Sequence, residues 1–163
     1  MLICGNPYLC TGCRICEAVC SFRYFSVINP SRARIQIRRD DLGADQIFIC
    51  HQCKEPTCVE ACPEGALWKE DHSVKFDREL CVSCFACVDA CPYGGIWSHP
   101  DLDYPLKCDL CDLCGGTPLC VEMCPANVLK LVETEEEAEI IRNKPIPGQA
   151  LVHAYKETRE GTK

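Results

Sequence analysis

The stretch that decides the fold is CVSCFACVDACP, which runs from Cys81 to Pro92. It holds four cysteines at intervals of three, three and four residues, and it ends in a proline. A near copy, CTGCRICEAVC, runs from Cys10 to Cys20. Four thiols in so short a segment indicate either a disulfide framework or a metal site.

The cysteines form four groups of two alternating kinds. Groups one and three share the spacing C-x2-C-x2-C-x3-C, whereas groups two and four share the ending P-x-C-V-E-x-C-P. This order is an internal A-B-A-B repeat. In chain order, the groups are Cys10, Cys13, Cys16, Cys20; Cys50, Cys53, Cys58, Cys62; Cys81, Cys84, Cys87, Cys91; and Cys108, Cys111, Cys120, Cys124. Cys4 and Cys114 fall outside the repeat, and we expect each to be a small buried apolar residue or a loop thiol.

Composition favours metal over disulfides. Eighteen of the 163 residues are cysteine, and without them the apolar fraction falls from 47% to about 36%, which is thin for an ordinary core. The N-terminal residues show no signal-peptide pattern, and no apolar run approaches a membrane span. We therefore expect a cytoplasmic protein without membrane insertion, whose thiols stay reduced. The net charge of −7 argues against nucleic-acid binding.

The spacing favours iron–sulfur clusters over zinc. A zinc site normally uses two C-x2-C pairs separated by a longer loop, whereas cysteines at i, i+3 and i+6 suit a loop wrapped around one cubane. The run C-x2-C-x2-C-x3-C-P is that of bacterial ferredoxins, in which the fourth cysteine ligates the other cluster of a pair. Four repeats predict four [4Fe–4S] clusters, which would fill the interior. A zinc-bound structural or nucleic-acid-binding protein is the alternative from another class.

The third and fourth cysteines of each group are four residues apart, a spacing that a helix would place on one face, about 6 Å apart along its axis. One thiol of such a pair can hold its own cluster while the other reaches the neighbouring cluster. Pro63, Pro92 and Pro125 follow the fourth cysteine of three groups and are expected to end those helices. Group one has Ser21 there, so its exit is expected to differ.

Chain order predicts which groups pair. Groups two and three are neighbours in sequence, and groups one and four flank them. The predicted ligand sets are Cys10, Cys13, Cys16 with Cys124; Cys108, Cys111, Cys120 with Cys20; Cys50, Cys53, Cys58 with Cys91; and Cys81, Cys84, Cys87 with Cys62. The predicted fold is α+β, with two ferredoxin-like modules, one inserted in the other. Residues 1–49 and 98–132 form the outer module, 50–97 the inner module, and 133–163 a C-terminal helix and tail.

The motifs CHQCKEPTCVEACP, CVSCFACVDACPYGGI and CDLCDLCGGTPLCVEMCP resemble the four-cluster iron–sulfur subunits of anaerobic oxidoreductases. Dimethyl sulfoxide reductase, formate dehydrogenase, formate hydrogenlyase and carbon monoxide dehydrogenase systems contain such subunits. The opening NPYLCTGCRICEAVCSF is most similar to the small polyferredoxin subunits of tungsten aldehyde oxidoreductases. The resemblance covers residues 4 to about 132, and the chain lacks the large insertions and membrane anchor of many members.

The resemblance implies an electron-transfer subunit and not an enzyme, and the chain shows no nucleotide-binding loop or activated nucleophile. The implied partner is a catalytic subunit, first of all a tungsten or molybdenum pterin aldehyde oxidoreductase, with a further redox subunit or ferredoxin accepting or supplying electrons. A hydrogenase, formate dehydrogenase or carbon monoxide dehydrogenase partner is the alternative, as is a free soluble polyferredoxin.

The remaining segments carry weaker predictions. Residues 31–40 and 45–50 read as a β-hairpin, and its arginines form either a solvated face or a basic docking patch: Arg32, Arg34, Arg38 and Arg39. Residues 73–77 and 127–133 are predicted strands. Thr134 and Glu137 form a capping box for a short helix over 134–141. Residues 144–163 are either a frayed tail or a partner contact.

Overall fold

The structure is a computed structural model that describes residues 1–41 and 43–144. The described chain is a mixed structure of short helices and strands. Its strands are β1 (Leu2–Cys4), β2 (Ile35–Arg39), β3 (Asp45–Ile49), β4 (Leu67–Glu70), β5 (Ser73–Phe76), β6 (Ile96–Trp97), β7 (Leu106–Lys107) and β8 (Lys130–Val132). Its helices are α1 (Ile15–Phe25), α2 (Thr57–Glu60), α3 (Ala86–Asp89), α4 (Leu119–Glu122) and α5 (Glu135–Arg142).

All the strand pairs are antiparallel and two-stranded: β1 with β8, β2 with β3, β4 with β5, and β6 with β7. The predicted hairpin is confirmed, and Ile35 and Ile37 point into the core at 1% and 3% exposure. Its first strand begins later than predicted, because Pro30–Arg32 form a 3-10 turn capped by the Asn29 side chain. The predicted strand over 73–77 is confirmed as β5.

The pairing of β1 with β8 brings residues near the N-terminus beside residues near position 130. Within the predicted strand 127–133, only Lys130–Val132 pair. Helix α5 covers this pair, because Leu2, Cys4 and Ala138 form one buried apolar cluster. The pairing therefore joins the two chain segments assigned to the outer module, while the nested arrangement itself stays a prediction.

Helix α5 begins as the sequence predicts. The Thr134 hydroxyl accepts a hydrogen bond from the Glu137 N–H at 3.2 Å, and this caps the helix. The Glu137 carboxylate accepts from the N–H of Glu133, one residue before the position that a standard capping box uses. The predicted tail beyond Lys144 lies outside the described residues.

The prediction that one helix contains both the third and the fourth cysteine of a group is correct for group one and wrong for the other three groups. Helix α1 has 11 residues and contains both Cys16 and Cys20. Helices α2, α3 and α4 have four residues each, so that their fourth cysteines, Cys62, Cys91 and Cys124, lie two residues beyond the helix ends. The prolines do not end these helices, since each follows the last helical residue by three positions.

Group one differs because Ser21 is built into α1. Its side chain is completely buried, and its hydroxyl donates to the Ala18 carbonyl at 3.0 Å. The same oxygen accepts from the N–H of Asn29 at 3.1 Å, which holds the returning chain against the helix. A hydroxyl with two partners replaces the proline of the other groups, and α1 continues to Phe25.

Apolar residues gather into two larger clusters that both contain cysteines. One combines Ile3, Ile35, Ile37, Ile49 and Leu129 with thiols of groups one, two and four. The other combines Leu67, Val74 and Ile96 with Cys58 and Cys87. None of the helices in the described ranges is both long and apolar enough to cross a bilayer.

Candidate metal centres

Three cavities of similar size each have four cysteines in their walls. Their empty volumes are about 360, 320 and 330 Å³. We name them by their thiols: site A (Cys10, Cys13, Cys16, Cys124), site B (Cys20, Cys108, Cys111, Cys120) and site D (Cys62, Cys81, Cys84, Cys87). In each site, one thiol comes from a different cysteine group than the other three.

Site C consists of Cys50, Cys53, Cys58 and Cys91, which the structure also brings together. Burial raises the pKa of Cys58 to about 11, and the nearby thiols of Cys50, Cys91 and Cys53 add to the increase. Burial and the thiols of Cys50 and Cys91 likewise raise the pKa of Cys53. The structure thus gathers the sixteen thiols into the four predicted sets, while their role as ligands stays a prediction.

A left-handed residue precedes the second cysteine of every group. These residues are Gly12, Gln52, Ser83 and Leu110, with φ between 52° and 65°. Residues other than glycine rarely adopt this conformation, and it costs energy when they do. The recurrence at one position in four loops indicates that this turn bends each loop around its site.

Backbone N–H groups donate to several of the thiols. The sulfurs of Cys91 and Cys124 each accept from the residue four positions later, at 3.3 Å from Gly95 and 3.4 Å from Val128. The Cys20 sulfur accepts from the N–H of Arg34 at 3.2 Å. Each of these three thiols crosses from its own group to a site formed by another group, as Cys62 also does, so the backbone hydrogen bond fixes the orientation that the distant site requires.

Gly95→Ala should selectively disturb site C. A Cβ on Gly95 would lie 2.8 Å from the Ile49 carbonyl oxygen and 2.9 Å from the Cα of Cys50, where only backbone could move. We expect the purified variant to lose roughly a quarter of its iron, one of four clusters, as measured by elemental analysis. Gly43→Ala, in the turn between β2 and β3, is the control: its Cβ would meet nothing within 4 Å, so that it adds only the strain of a positive φ away from the four sites, and it should keep its iron. Full iron in Gly95→Ala would contradict this tight approach.

The chemistry of the donors fits iron–sulfur clusters. Burial raises the pKa of Cys16 to about 12, and it also raises the pKa values of Cys108 and Cys120. A thiolate at these positions therefore needs a positive partner, which iron supplies. Four thiols stand around each cavity and do not converge on a point. Among the described residues, no three His, Cys, Asp or Glu side chains are placed to hold a single ion.

The four sites adjoin one another in the order A, B, C and D. One buried cluster joins Cys16 of site A, Cys108 of site B and Cys50 of site C, and a second joins Cys58 of site C with Cys87 of site D. After burial, neighbouring thiols across site boundaries also raise pKa values: Cys16 acts on Cys120, Cys50 on Cys108, and Cys58 on Cys87. These three electrostatic interactions between thiols link site A to B, site B to C, and site C to D. Two of the 18 cysteines are exposed, Cys13 in site A and Cys84 in site D. Thiols of the two end sites therefore reach the surface.

The arginines of the hairpin are largely engaged within the chain. Arg32 pairs with Asp101 at 2.9 Å, and Arg39 pairs with Asp45 at 3.1 Å. Arg34 pairs with Asp109 at 2.9 Å, stacks its guanidinium 3.5 Å from the centre of the Tyr24 ring, and lines site B. These contacts favour the solvated, paired face over a free basic patch. The sequence pattern missed the inward position of Arg34.

The remaining cysteines and His51 have other surroundings. Cys4 is 2% exposed beneath α5, as a small apolar residue would be, and Cys114 ends a 3-10 turn over Asp112–Cys114. The His51 ring stacks on Tyr93 with the ring centres 4.1 Å apart. Burial and the nearby charge of Arg142 lower the pKa of His51 to about 4, which favours the neutral ring.

Comparison with known families identifies the chain. One 4Fe-4S dicluster domain family matches residues 46–134, more than half of the sequence, and a second matches residues 9–67. The chain is a member of the 4Fe-4S dicluster family. This dicluster protein carries two such domains, and therefore four [4Fe–4S] clusters and small ferredoxin-like folds.

Several curated proteins are similar to this dicluster protein. The polyferredoxin-like subunit of the aliphatic sulfonate oxidoreductase of Pyrococcus furiosus is 39% identical over 73% of this chain and 68% of that protein. Formate hydrogenlyase subunit 2 of Escherichia coli is 32% identical over 86% and 85%. The beta subunit of the NADH-dependent phenylglyoxylate dehydrogenase of Aromatoleum evansii is 37% identical over 79% of this chain, which spans only 29% of that protein's length.

Proposed function

We propose that this dicluster protein relays electrons between a catalytic subunit and an external redox partner. The observation that carries this proposal is the succession of adjoining sites A–B–C–D, with an exposed cysteine in each of the two end sites. A line of sites through the chain suits transfer from one surface to another. The cavities of sites A, B and D are lined mainly by thiols and apolar groups, which suits a buried cluster better than a bound substrate.

In this proposal, the sixteen thiols of sites A to D are the cluster ligands. When bound, the clusters accept and release single electrons. The chain holds them with thiols from two groups per site, so that each site depends on two parts of the sequence. Apolar neighbours such as Ile37, Leu67 and Ile49 exclude water, and backbone N–H groups donate to sulfur, which tunes the potential.

For the partner, we favour a tungsten or molybdenum pterin aldehyde oxidoreductase in the cytoplasm. The similarity to the polyferredoxin-like subunit of an aliphatic sulfonate oxidoreductase supports a small subunit of this kind. Similarity to formate hydrogenlyase subunit 2 supports the second candidate, a hydrogenase or formate dehydrogenase partner. A carbon monoxide dehydrogenase partner and a free polyferredoxin are further alternatives within the same electron-transfer class.

Elemental analysis of the native complex, purified without oxygen, tests this function. We expect about 16 iron atoms per chain with matching sulfide, four for each cubane. Tungsten or molybdenum in a co-purifying subunit would support the favoured partner, and nickel would support a hydrogenase or carbon monoxide dehydrogenase. A monomer without a companion would support the free carrier. Zinc in place of iron would overturn the relay.

A further inference from the structure

Two lysine ammonium groups stand in the middle of the line of sites. Lys69, on β4, is half-buried, and its Nζ donates to the carbonyls of Gln52 and Cys53 at 2.9 and 2.7 Å. These carbonyls belong to the loop of site C. An ammonium has three N–H donors and no acceptor, so two carbonyl partners suit its charged form.

Lys107, on β7, is more deeply buried than Lys69, and only 4% of it is exposed. Its Nζ donates to the carbonyls of Val74 and Cys108 at 2.5 and 2.8 Å. The two carbonyls belong to different surroundings, because Cys108 is one of the cysteines of site B, whereas Val74 packs in the same buried cluster as Cys58 of site C. Lys107 therefore lies at the junction of sites B and C.

Gln52 fixes this junction in place. Its side-chain amide donates to the Cys108 carbonyl at 2.9 Å and accepts from the N–H of Val74 at 2.8 Å. The Cys108 and Val74 backbones are thus held by Gln52 and Lys107 together. Charges that are held by several hydrogen bonds in a buried setting keep a constant distance to their neighbours, and their effect is weakly screened by salt.

The surroundings of the end sites are different. At site A, Arg14 has a 55% exposed side chain and lies 4.0 Å from the carboxylate of buried Glu17. At site D, the charged residue that lines the cavity is an acid, Glu64. Site B is lined by two further cations, Arg23 and Arg34, of which Arg34 is paired with Asp109 at 2.9 Å and therefore adds little net charge. The acid that acts on site C is Glu135, and it is paired with Arg142 at 2.5 Å.

A fixed cation stabilises the more negative, reduced form of a nearby cluster, and burial strengthens the effect because the effective dielectric is low. We propose that Lys69 and Lys107 raise the reduction potentials at sites B and C above those at sites A and D. The inference rests on the proposed relay and deepens it. The chain then holds its first electron in the middle of the line, away from both exposed ends, and delivers it when a second electron or a partner arrives.

Potentiometric titration of the loaded protein, followed by electron paramagnetic resonance, tests this proposal. The variants are Lys69→Met and Lys107→Met, which keep a similar chain length and remove the charge. We expect the equilibrium constant for the first reduction to fall at least tenfold in each, which is 59 mV for one electron. Lys69→Arg, which keeps the charge, should restore the wild-type potential.

Lys54→Met is the matched control. Lys54 lies on the same loop as Cys53, but its side chain is 83% exposed and pairs with Glu136 at 3.4 Å. Its removal should leave the first potential unchanged, since solvent screens it. Iron analysis of every variant accompanies the titration, and if Lys107→Met fails to load its clusters, Lys69→Met decides.

The outcomes separate this inference from the function on which it rests. Wild-type protein with about 16 iron atoms, but with Lys69→Met no different from Lys54→Met, would overturn the role of the lysines and leave the relay intact. A tenfold effect that Lys69→Arg does not restore would also overturn it, because charge would then not be the cause. Wild-type protein without iron would overturn the relay and this inference together.

Discussion

Removal of iron and sulfide is expected to unfold this protein and not to leave an empty fold. Every sheet in the described chain has only two strands, and an isolated two-stranded sheet is marginally stable in water without further packing. Helices α2, α3 and α4 are single turns of four residues, too short to be stable alone. The two larger apolar clusters contain cysteines that would lose the iron they bind.

Chelation under anaerobic conditions, followed by circular dichroism and thermal melting, measures this effect. We expect the loss of most secondary structure and of any cooperative transition, because the binding free energy of the clusters is folding free energy here. Reconstitution with iron and sulfide should restore both signals, and zinc alone should not. A chelated chain that still melts cooperatively would show that β-pairs and apolar clusters suffice.

The second large effect concerns the crossing thiols. Cys124→Ala should remove the cluster of site A, although Cys124 lies in the same sequence group as the ligands of site B. The structure places Cys124 in the wall of site A, with Cys10, Cys13 and Cys16. We expect about a quarter of the iron to be lost, or a cluster with altered spectrum to remain, since a cubane uses four thiolates.

Comparison of paramagnetic resonance spectra gives the sharpest readout. The spectrum of Cys124→Ala should lose the same signal as Cys16→Ala, and not the signal lost in Cys120→Ala, which lies in site B. Cys114→Ala is the matched control, because Cys114 lies in the same stretch of sequence as group four but does not line the cavity of site B. Equal spectra for Cys124→Ala and Cys120→Ala would mean that each sequence group serves its own cluster.

The sequence predicted best where a short-range rule applies. Alternation placed Ile35 and Ile37 in the core of the hairpin, and the capping pattern located the start of α5 at Thr134. The cavities of sites A, B and D also group their thiols as chain order suggested, while the role of these thiols as ligands stays a prediction. Each of these predictions depends on a periodicity or a spacing that can be read directly from the amino-acid sequence.

The helices of groups two to four show where such rules stop. A spacing of i and i+4 is compatible with a helix that contains both cysteines, but it is equally met by a single helical turn whose C-cap residue, Ala61, Ala90 or Met123, comes before the fourth cysteine. The left-handed turns at Gln52, Ser83 and Leu110 carry no glycine, so nothing in the sequence marks them. They are imposed by the tertiary requirement that a loop bend around its site, which overrides local preference.

The burial of the lysine and arginine side chains could not be predicted from the sequence either, for a related reason. Lys107 and Arg34 look like ordinary charged strand residues, and each is buried because a distant partner is present. Those partners, Val74 for Lys107 and Asp109 for Arg34, are 33 and 75 positions away. Only the fold brings them together.

The positions of the site A cysteines along the chain also determine when this site can be completed during translation. More than a hundred residues separate Cys16 from Cys124, so the ribosome must make most of the chain before that site has all its thiols. At about 5–20 residues per second, the wait is roughly 5–20 s. Sites C and D are complete once Cys91 emerges. The thiol sets in the middle of the growing chain are therefore complete first, and Cys10, Cys13 and Cys16, although translated earlier, wait longest for the fourth member of their set.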